Sequence, residues 1–475
     1  MTYLYDSFGR QTSVASSDGS QSTTVYSWED PSSDPLLARY SVTNFANDGS
    51  QSKTWYDKLG RVIRSDVKGF DGTMICTSTS YNLKGQVESV SDPYFSTGAP
   101  QLNVYSYDSY GRQTALMRPS GRNSAWSYSN NTVTETTAGK SFSRTVASDG
   151  NVSSATDPGG TITYSYFADG NVKSIVAPGS ITTTMQYDIA GNQTSLADPS
   201  AGTISYTYNG FGELTSQVNP GSVTTSISYL SDGRIDRKTT PEGVTYYRYN
   251  SNKQLANIKS PSNVSRSLGY DSKGRVTAVT DSLPGSNPFL TSITYDSKGR
   301  KSTVTHPSAI TETYGYNQNG YLASVSAGGS VRWTTTGINA RGQLTTGTYG
   351  SNLNTTMGID TYGFPTSIVT GTVQNYSYNF NPVTGNLAWR QNNKYTGLRE
   401  DFQYDNSDRL SNVTKSGVTT LTMSYDGNTG GIAGKSDAGT FTCDPFEKPY
   451  AIKNIDPTTG LVPDSTQTIG YTSFN

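Results

Sequence analysis

The chain has 475 residues, 32% hydrophobic and 15% charged, with 48 Gly, 34 Tyr, 20 Pro, 2 Cys and a single His. With 36 basic and 37 acidic side chains it is nearly neutral, which excludes a disordered polyelectrolyte and the basic surplus that nucleic-acid binding needs. Apolar runs are only a few residues long, too short for a membrane-spanning helix.

The chain opens on Thr2-Tyr3-Leu4-Tyr5-Asp6, with no basic or apolar leader. No signal peptide is expected, and the sequence is expected to be a fragment that begins inside its own repeat. Tyr-Asp then occurs eight times, at Tyr5, Tyr56, Tyr107, Tyr187, Tyr270, Tyr295, Tyr404 and Tyr425. Tyr-Asn occurs five times, at Tyr81, Tyr208, Tyr249, Tyr316 and Tyr378. Taking these tyrosines and their stand-ins as anchors, positions 166 to 338 advance in steps of 20 to 25 residues, most of them 21. Gly stands four residues after the anchor in 14 repeats. The repeat residues are therefore Tyr5, Asp6 and Gly9; Tyr56, Asp57 and Gly60; Tyr107, Asp108 and Gly111; Tyr187, Asp188 and Gly191; Tyr270, Asp271 and Gly274; and Tyr295, Asp296 and Gly299. Arg often follows the Gly, as at Arg10, Arg61, Arg275 and Arg300.

Each repeat reads as two strands and two turns. Tyrosines two residues apart before the anchor, such as Tyr164/Tyr166 and Tyr206/Tyr208, share one face of a strand. The following Asp-x-x-Gly suits a hairpin loop in which Asp caps backbone N–H groups and Gly takes the left-handed position. The second strand is apolar at anchor +6 (Val62, Val172, Leu214) and often at anchor +9 (Leu116, Ile175, Leu196). An odd separation puts those two on opposite faces unless a bulge intervenes. A Pro/Gly turn such as Asp157-Pro158-Gly159 closes the repeat. This cadence predicts an all-β chain of about 20 hairpins with almost no helix. The cadence blurs at residues 26–55 and after Tyr378, and no linker divides the chain.

Tyr-Asp-x-x-Gly-Arg at this step, as in Tyr107–Arg112, Tyr270–Arg275 and Tyr295–Arg300, resembles the YD repeat of bacterial rearrangement-hot-spot (Rhs) proteins, the B and C components of insecticidal toxin complexes, and teneurin ectodomains. The resemblance implies a continuous antiparallel β-ribbon spiralling into a hollow shell, which in bacterial members encloses a C-terminal toxin. It also implies an aspartyl self-cleaving core with Asp-Pro-x-Gly-type motifs. Asp456-Pro457-Thr458-Thr459-Gly460 is one residue too long and has no second copy, so neither a core protease nor a toxin domain is expected within residues 1–475. A ribbon of this size, on the order of 190 Å long, suits part of a wall better than a closed container.

No catalytic, cofactor or metal site is expected. His306 stands in a turn without a nucleophile motif, and Cys76 and Cys443 have no near Cys or His partner. The Gly-rich steps lack the Lys-Ser/Thr of a phosphate loop, and one Asp per loop does not make a calcium site. The seven Asn-X-Ser/Thr triplets are expected by chance in so Asn-, Ser- and Thr-rich a chain. The tyrosines read as cross-strand ladders, with sugar stacking as the alternative. The expected role is a non-enzymatic shell segment that encloses or presents a toxin cargo, secreted or at the cell surface. The alternative is a cell-surface adhesion module that binds glycans.

Overall fold

The computed structural model describes residues 1–30, 38–350, 352–444 and 448–457. Among them are 43 strands and one short 3-10 turn, Pro178–Ser180, so the chain is all-β. Within each body, strands pair antiparallel with their neighbours along the chain, as in Gly160–Tyr166 with Val172–Ala177 and the latter with Ile181–Tyr187. One local departure is the two-residue strand Tyr94–Phe95, which pairs back on Met74–Tyr81 while Leu102–Tyr107 pairs with Val87–Ser91. The described residues group into two compact bodies: Met1–Ala125, Leu268–Thr280 and Phe289–Leu398; and Trp126–Ser267, Asp281–Pro288 and Arg399–Asn475.

The anchor hairpin has one geometry in most repeats. In Ile181–Tyr187 and Gln193–Asp198, Tyr187 pairs with Gln193, Gln186 with Ser195, and Met185 with Leu196. Position +7, here Thr194, is bulged out of register. The bulge settles the parity question: Tyr187, Met185, +6 and +9 all lie on one face. The loop itself is a tight turn, with Gly191 N–H donating to Asp188 O at 3.0 Å and Asp188 N–H to Asn192 O at 2.9 Å. Gly191 has φ +85, the left-handed conformation that this turn and bulge require.

Both irregular stretches keep antiparallel pairing but depart from this geometry. Gln21–Trp28 and Tyr40–Ala46 pair without a break from Ser22↔Ala46 to Trp28↔Tyr40; Pro31 and the Asp34-Pro35 step lie outside the described residues. After Tyr378 the anchor is Phe380, two residues on, and its loop is one residue longer, so Phe380 pairs with Leu387 at +7. Tyr425 does the same with Ile432. Asp456 and Pro457 end the strand Lys448–Pro457, and residues 458–460 of that motif lie outside the described residues.

Burial follows the faces. Ile181–Tyr187 and Gly202–Tyr208 alternate half-buried and exposed, with the anchor tyrosines on the half-buried side. Among the described residues the buried apolar side chains are Ala38, Cys76, Leu116, Val304, Val413 and Pro449. Three of them, Leu116, Val304 and Val413, are +9 positions. A sandwich would bury alternate residues of every strand; here the anchor face stays half-wet. Cross-strand pairs and neighbouring repeats therefore carry the stability.

Candidate functional site: the inter-repeat clasp and the ribbon seam

The Asp after the anchor organises its own loop. Asp271 Oδ1 accepts the N–H groups of Lys273 and Arg275, at 2.9 and 3.0 Å, and Oδ2 accepts Arg275 Nε at 2.8 Å. Partial desolvation works to raise the Asp271 pKa, but the Arg275 N–H, its guanidinium and the Lys273 N–H outweigh it and hold the carboxyl below its ordinary value. Asp6, Asp57, Asp108 and Asp296 make the same set of bonds to Arg10, Arg61, Arg112 and Arg300. The glycines Gly9, Gly60, Gly111, Gly274 and Gly299 have φ between +75 and +85.

The +5 residue matches the +1 residue by hydrogen-bonding type. Where +1 is Asp, +5 is a donor in most repeats: Arg, or Asn192, whose Nδ2 lies 3.0 Å from Asp188 Oδ2; Asp360 is an exception, with Phe364 at +5 offering only its backbone N–H. Where +1 is Asn, +5 is an acceptor in most repeats: Glu213 for Asn209 at 2.6 Å, Gln254 for Asn250 at 2.9 Å, Gln343 for Asn339 at 3.0 Å; Asn317, with Tyr321 at +5, donates instead to Phe70 O. This pairing is visible in the sequence as a covariation of +1 with +5 within the repeat.

Adjacent repeats are joined by the next anchor tyrosine. Its hydroxyl donates to the carbonyl of the preceding repeat's +6 residue: Tyr81 to Val62, Tyr107 to Val87, Tyr208 to Gln193, Tyr295 to Val276 and Tyr425 to Leu410, at 2.7–2.9 Å. Where +5 is Arg, its guanidinium also covers that ring. Arg61 lies 4.2 Å over Tyr81, Arg275 4.1 Å over Tyr295, Arg300 4.0 Å over Tyr316 and Arg409 4.2 Å over Tyr425. Such a contact is worth ~0.5–2 kcal/mol depending on desolvation. Tyr56 instead stacks on Tyr40 with ring centroids 4.6 Å apart, and Tyr187 meets Phe167 edge-on. Tyr5 is exposed.

A second set of contacts joins ribbon stretches far apart in the chain. In the first body, Asn317 and Asn319 donate to Phe70 O at 2.8 and 3.0 Å, and the Tyr321 hydroxyl to Lys68 O at 2.9 Å. Arg341 pairs with Asp92 at 2.8 Å, Arg275 Nη1 donates to Asp18 O at 3.3 Å, and Arg122 Nη1 to Thr384 O at 3.3 Å. These partners are 247 to 262 residues apart. In each, a turn at the far end of an early repeat (the distal turn) rests on an anchor loop of a later one. The approach is close: a Cβ on Gly49 would stand 1.8 Å from Gln318 O, and one on Gly19 2.2 Å from Ser297 O. The second body, taken alone, has the same seam. Lys140 pairs with Asp408, Tyr450 N–H donates to Ser200 Oγ at 3.0 Å, and a Cβ on Gly179 would meet Asn428 Cβ at 2.9 Å.

The residues weighed as chemical groups lie elsewhere. His306 Nε2 is 3.0 Å from Glu312 Oε1, and Glu312 Oε2 accepts the Tyr314 hydroxyl at 2.5 Å. That carboxylate, with burial, pushes the Tyr314 pKa up to about 12. Cys76 is buried, and burial with the nearby Asp66 pushes its thiol up to about 11, against a reactive thiolate. Among the described residues no group of three or more His, Cys, Asp or Glu is placed to hold a metal ion, and no helix is long and apolar enough to cross a membrane.

Residues 184–287 match the family model of the teneurin YD-shell. No curated protein matches the chain in sequence. Among solved structures, the crystal structure of TcdB2-TccC3 aligns with a TM-score of 0.77 at 14% identity, over 95% of this chain and 30% of that one. The complex TcdB2-TccC3-Cdc42 aligns at 0.71 and 15% identity, over 88% and 26%. The Photorhabdus luminescens Tc holotoxin pore aligns at 0.70 and 16% identity, over 88% and 26%. The chain thus spans less than a third of the length of these structures. At such identity the likeness is one of fold: the chain has the YD-shell fold, and its residues 184–287 are similar to the teneurin YD-shell family.

Proposed function

We propose that this chain is a non-enzymatic length of shell wall in a bacterial, secreted YD-repeat toxin, and that the wall encloses a polypeptide cargo. The observation that carries the reading is the seam. A ribbon whose distal turns rest on anchor loops about 250 residues later is built as a wall, because each stretch closes the gap beside its neighbour. The half-wet anchor face supports an interior that meets water instead of a second packed sheet. The chain is nearly neutral, which suits a lining that holds different cargoes without binding any of them tightly by charge. The repeat residues act in this reading as structural joints, with no catalytic role. The anchor tyrosines do not favour the glycan-binding alternative, since their hydroxyls are engaged by carbonyls and many of their rings are covered by Arg.

Limited proteolysis of the longest natural polypeptide that contains this chain tests the proposal. A segment outside the repeats should resist cleavage in the intact protein, and become cleavable together with the wall when Gly49→Trp opens the seam. A segment cut at the same rate in both proteins would contradict enclosure.

A further inference from the structure

In the second body the sheet face opposite the anchor tyrosines changes character at Ile235. From Gly160–Tyr166 to Val223–Tyr229 its paired positions are Ser and Thr with an occasional Val, Ala or Gln, as in Ser165↔Ser174, Thr184↔Ala197 and Ser205↔Val218. None of those positions is charged. The next row across the strands is Ser228–Arg237–Tyr246–Lys259–Ser265, each residue directly opposite its neighbour. Arg248, two residues from Tyr246 and on the same face, lies 5.1 Å from the Tyr246 ring centroid. The Arg237 and Arg248 side chains are each 54% exposed, and Tyr246 and Lys259 are exposed as well. Residues 234–267 hold seven Lys and Arg against Asp236 and Glu242, a net charge of +5 that leaves the rest of the chain at −6. The nearly neutral total thus conceals a basic sector. Its cations are not spent inside the fold. Arg237 Nε donates to Ser228 Oγ at 3.0 Å, which orients the guanidinium and leaves both Nη groups open. Lys259 makes no ion pair among the described residues. The anchor-loop arginines, by contrast, end on the Asp of their own loop, as Arg275 does on Asp271.

We infer that this sector is a docking surface for an acidic segment of a different polypeptide, with one carboxylate on the open fork of Arg237, a second on Lys259, and the chain between them lying across the Tyr246 ring. Charge complementarity identifies the partner. A guanidinium with both Nη groups open takes a carboxylate bidentately. Arg237 and Lys259 stand two strands, or ~9.6 Å, apart, which acidic side chains two or three residues apart in an extended segment can span. Asp236 sits beside them, 2.7 Å from Arg248 Nη1 and 4.0 Å from Arg237 Nε. An unbroken run of phosphates or sulfates would set a negative group against it, whereas a peptide can place a neutral residue there. The Tyr246 ring offers the intervening chain an apolar surface with a polar tip. The inference goes beyond the wall reading and does not depend on it.

Fluorescence anisotropy of the 475-residue chain with a labelled peptide of about 16 residues, alternating Glu and Ser, tests this. The wild type should bind saturably and lose affinity as salt is raised toward ~0.15 M. Arg237→Gln/Lys259→Gln should weaken binding by about tenfold or more, with unchanged circular dichroism. Lys58→Gln/Lys84→Gln removes the same two charges from exposed anchor loops and should bind as the wild type does. No saturable binding by a natively folded wild type, or the same loss in both double variants, would overturn the inference. So would tighter binding of heparin or of an oligothymidine of the same length, which would make the sector a general polyanion surface. Self-association of the wild type that Arg237→Gln/Lys259→Gln abolishes would overturn it too, by making the occupant a second copy. Each of these results leaves the wall reading in place.

Discussion

The guanidinium of Arg275 lies 4.1 Å over the ring of Tyr295 while pairing with Asp271 at 2.8 Å and donating to Asp18 O at 3.3 Å. One side chain thus holds its own loop, the next repeat and a ribbon stretch 257 residues away. Tyr295 answers by donating its hydroxyl to Val276 O, the residue after that arginine. Tyr295→Phe should lower stability by about 1 kcal/mol, the net worth of one hydrogen bond. Arg275→Gln should cost ~0.5–2 kcal/mol through the ring contact, and Arg275→Lys should not restore it, because an ammonium lacks the flat, forked guanidinium. Urea unfolding with amide exchange at residues 270–300 checks both; wild-type stability in all three variants would remove the clasp.

Gly170 isolates backbone strain from crowding, because it has φ +88 and nothing within 4 Å of where a Cβ would stand. Gly170→Val should cost more than ~1 kcal/mol, and Gly170→Asn clearly less. Lys253 occupies the equivalent position of its repeat with φ +63. Lys253→Gly should therefore stabilise, by roughly 0.5–1 kcal/mol. The measurement is the denaturation midpoint of the four proteins; a loss of stability in Lys253→Gly would contradict the strain argument.

The sequence shows the local rules and hides the distant ones. Tyr-Asp-x-x-Gly puts the turn, the cap and the left-handed position within five residues, so the hairpins at Tyr187 and Tyr270 are legible from spacing alone. The shared face of +6 and +9 is not, because the bulge at +7 is a backbone event with no residue type of its own: Thr194, Thr215 and Lys173 all occupy it. The anchor tyrosine's partner is a main-chain carbonyl, which any residue supplies, so no side-chain pattern records it. The seam is hidden for the same reason. Phe70 O and Lys68 O leave no mark in the sequence, and only the crowding at Gly49 hints at them. The shift of anchor from Tyr378 to Phe380 misleads a reading keyed to Tyr-Asn.

Gly9 and Gly49 separate the seam from the turn. Both have positive φ, but a Cβ on Gly9 meets nothing within 4 Å, whereas one on Gly49 would stand 1.8 Å from Gln318 O. Gly9→Ala should cost about 1 kcal/mol, from the backbone alone. Gly49→Ala should cost at least ~2 kcal/mol, because the two stretches must separate to admit the methyl group. Amide exchange should quicken around residues 317–321 in Gly49→Ala and not in Gly9→Ala. Equal effects of the two substitutions would mean that the seam contributes nothing.

Acid should loosen the loops in a defined window. Hydrogen bonds from Ser20 and Ser16 hold the Asp18 pKa at about 2, and the Arg234 guanidinium holds Asp232 at about 2. An unfolded Asp titrates near ~3.9. Depressed folded values mean that these groups stabilise the fold fully above about pH 4, and lose that contribution as pH falls toward about 2. The melting temperature should be flat from about pH 7 to 5 and fall steeply below about 4. A fall centred near pH 6 would point to other groups.

Whether this ribbon is wall can be seen in a cryo-electron microscopy map of the longest natural polypeptide containing the chain. The predicted result is the seam intact, with Tyr321 on Lys68 O and Arg341 on Asp92, bounding a lumen that holds density from outside the repeats. A map in which the anchor tyrosines pack against a second sheet, or in which the ribbon bounds no lumen, would contradict it.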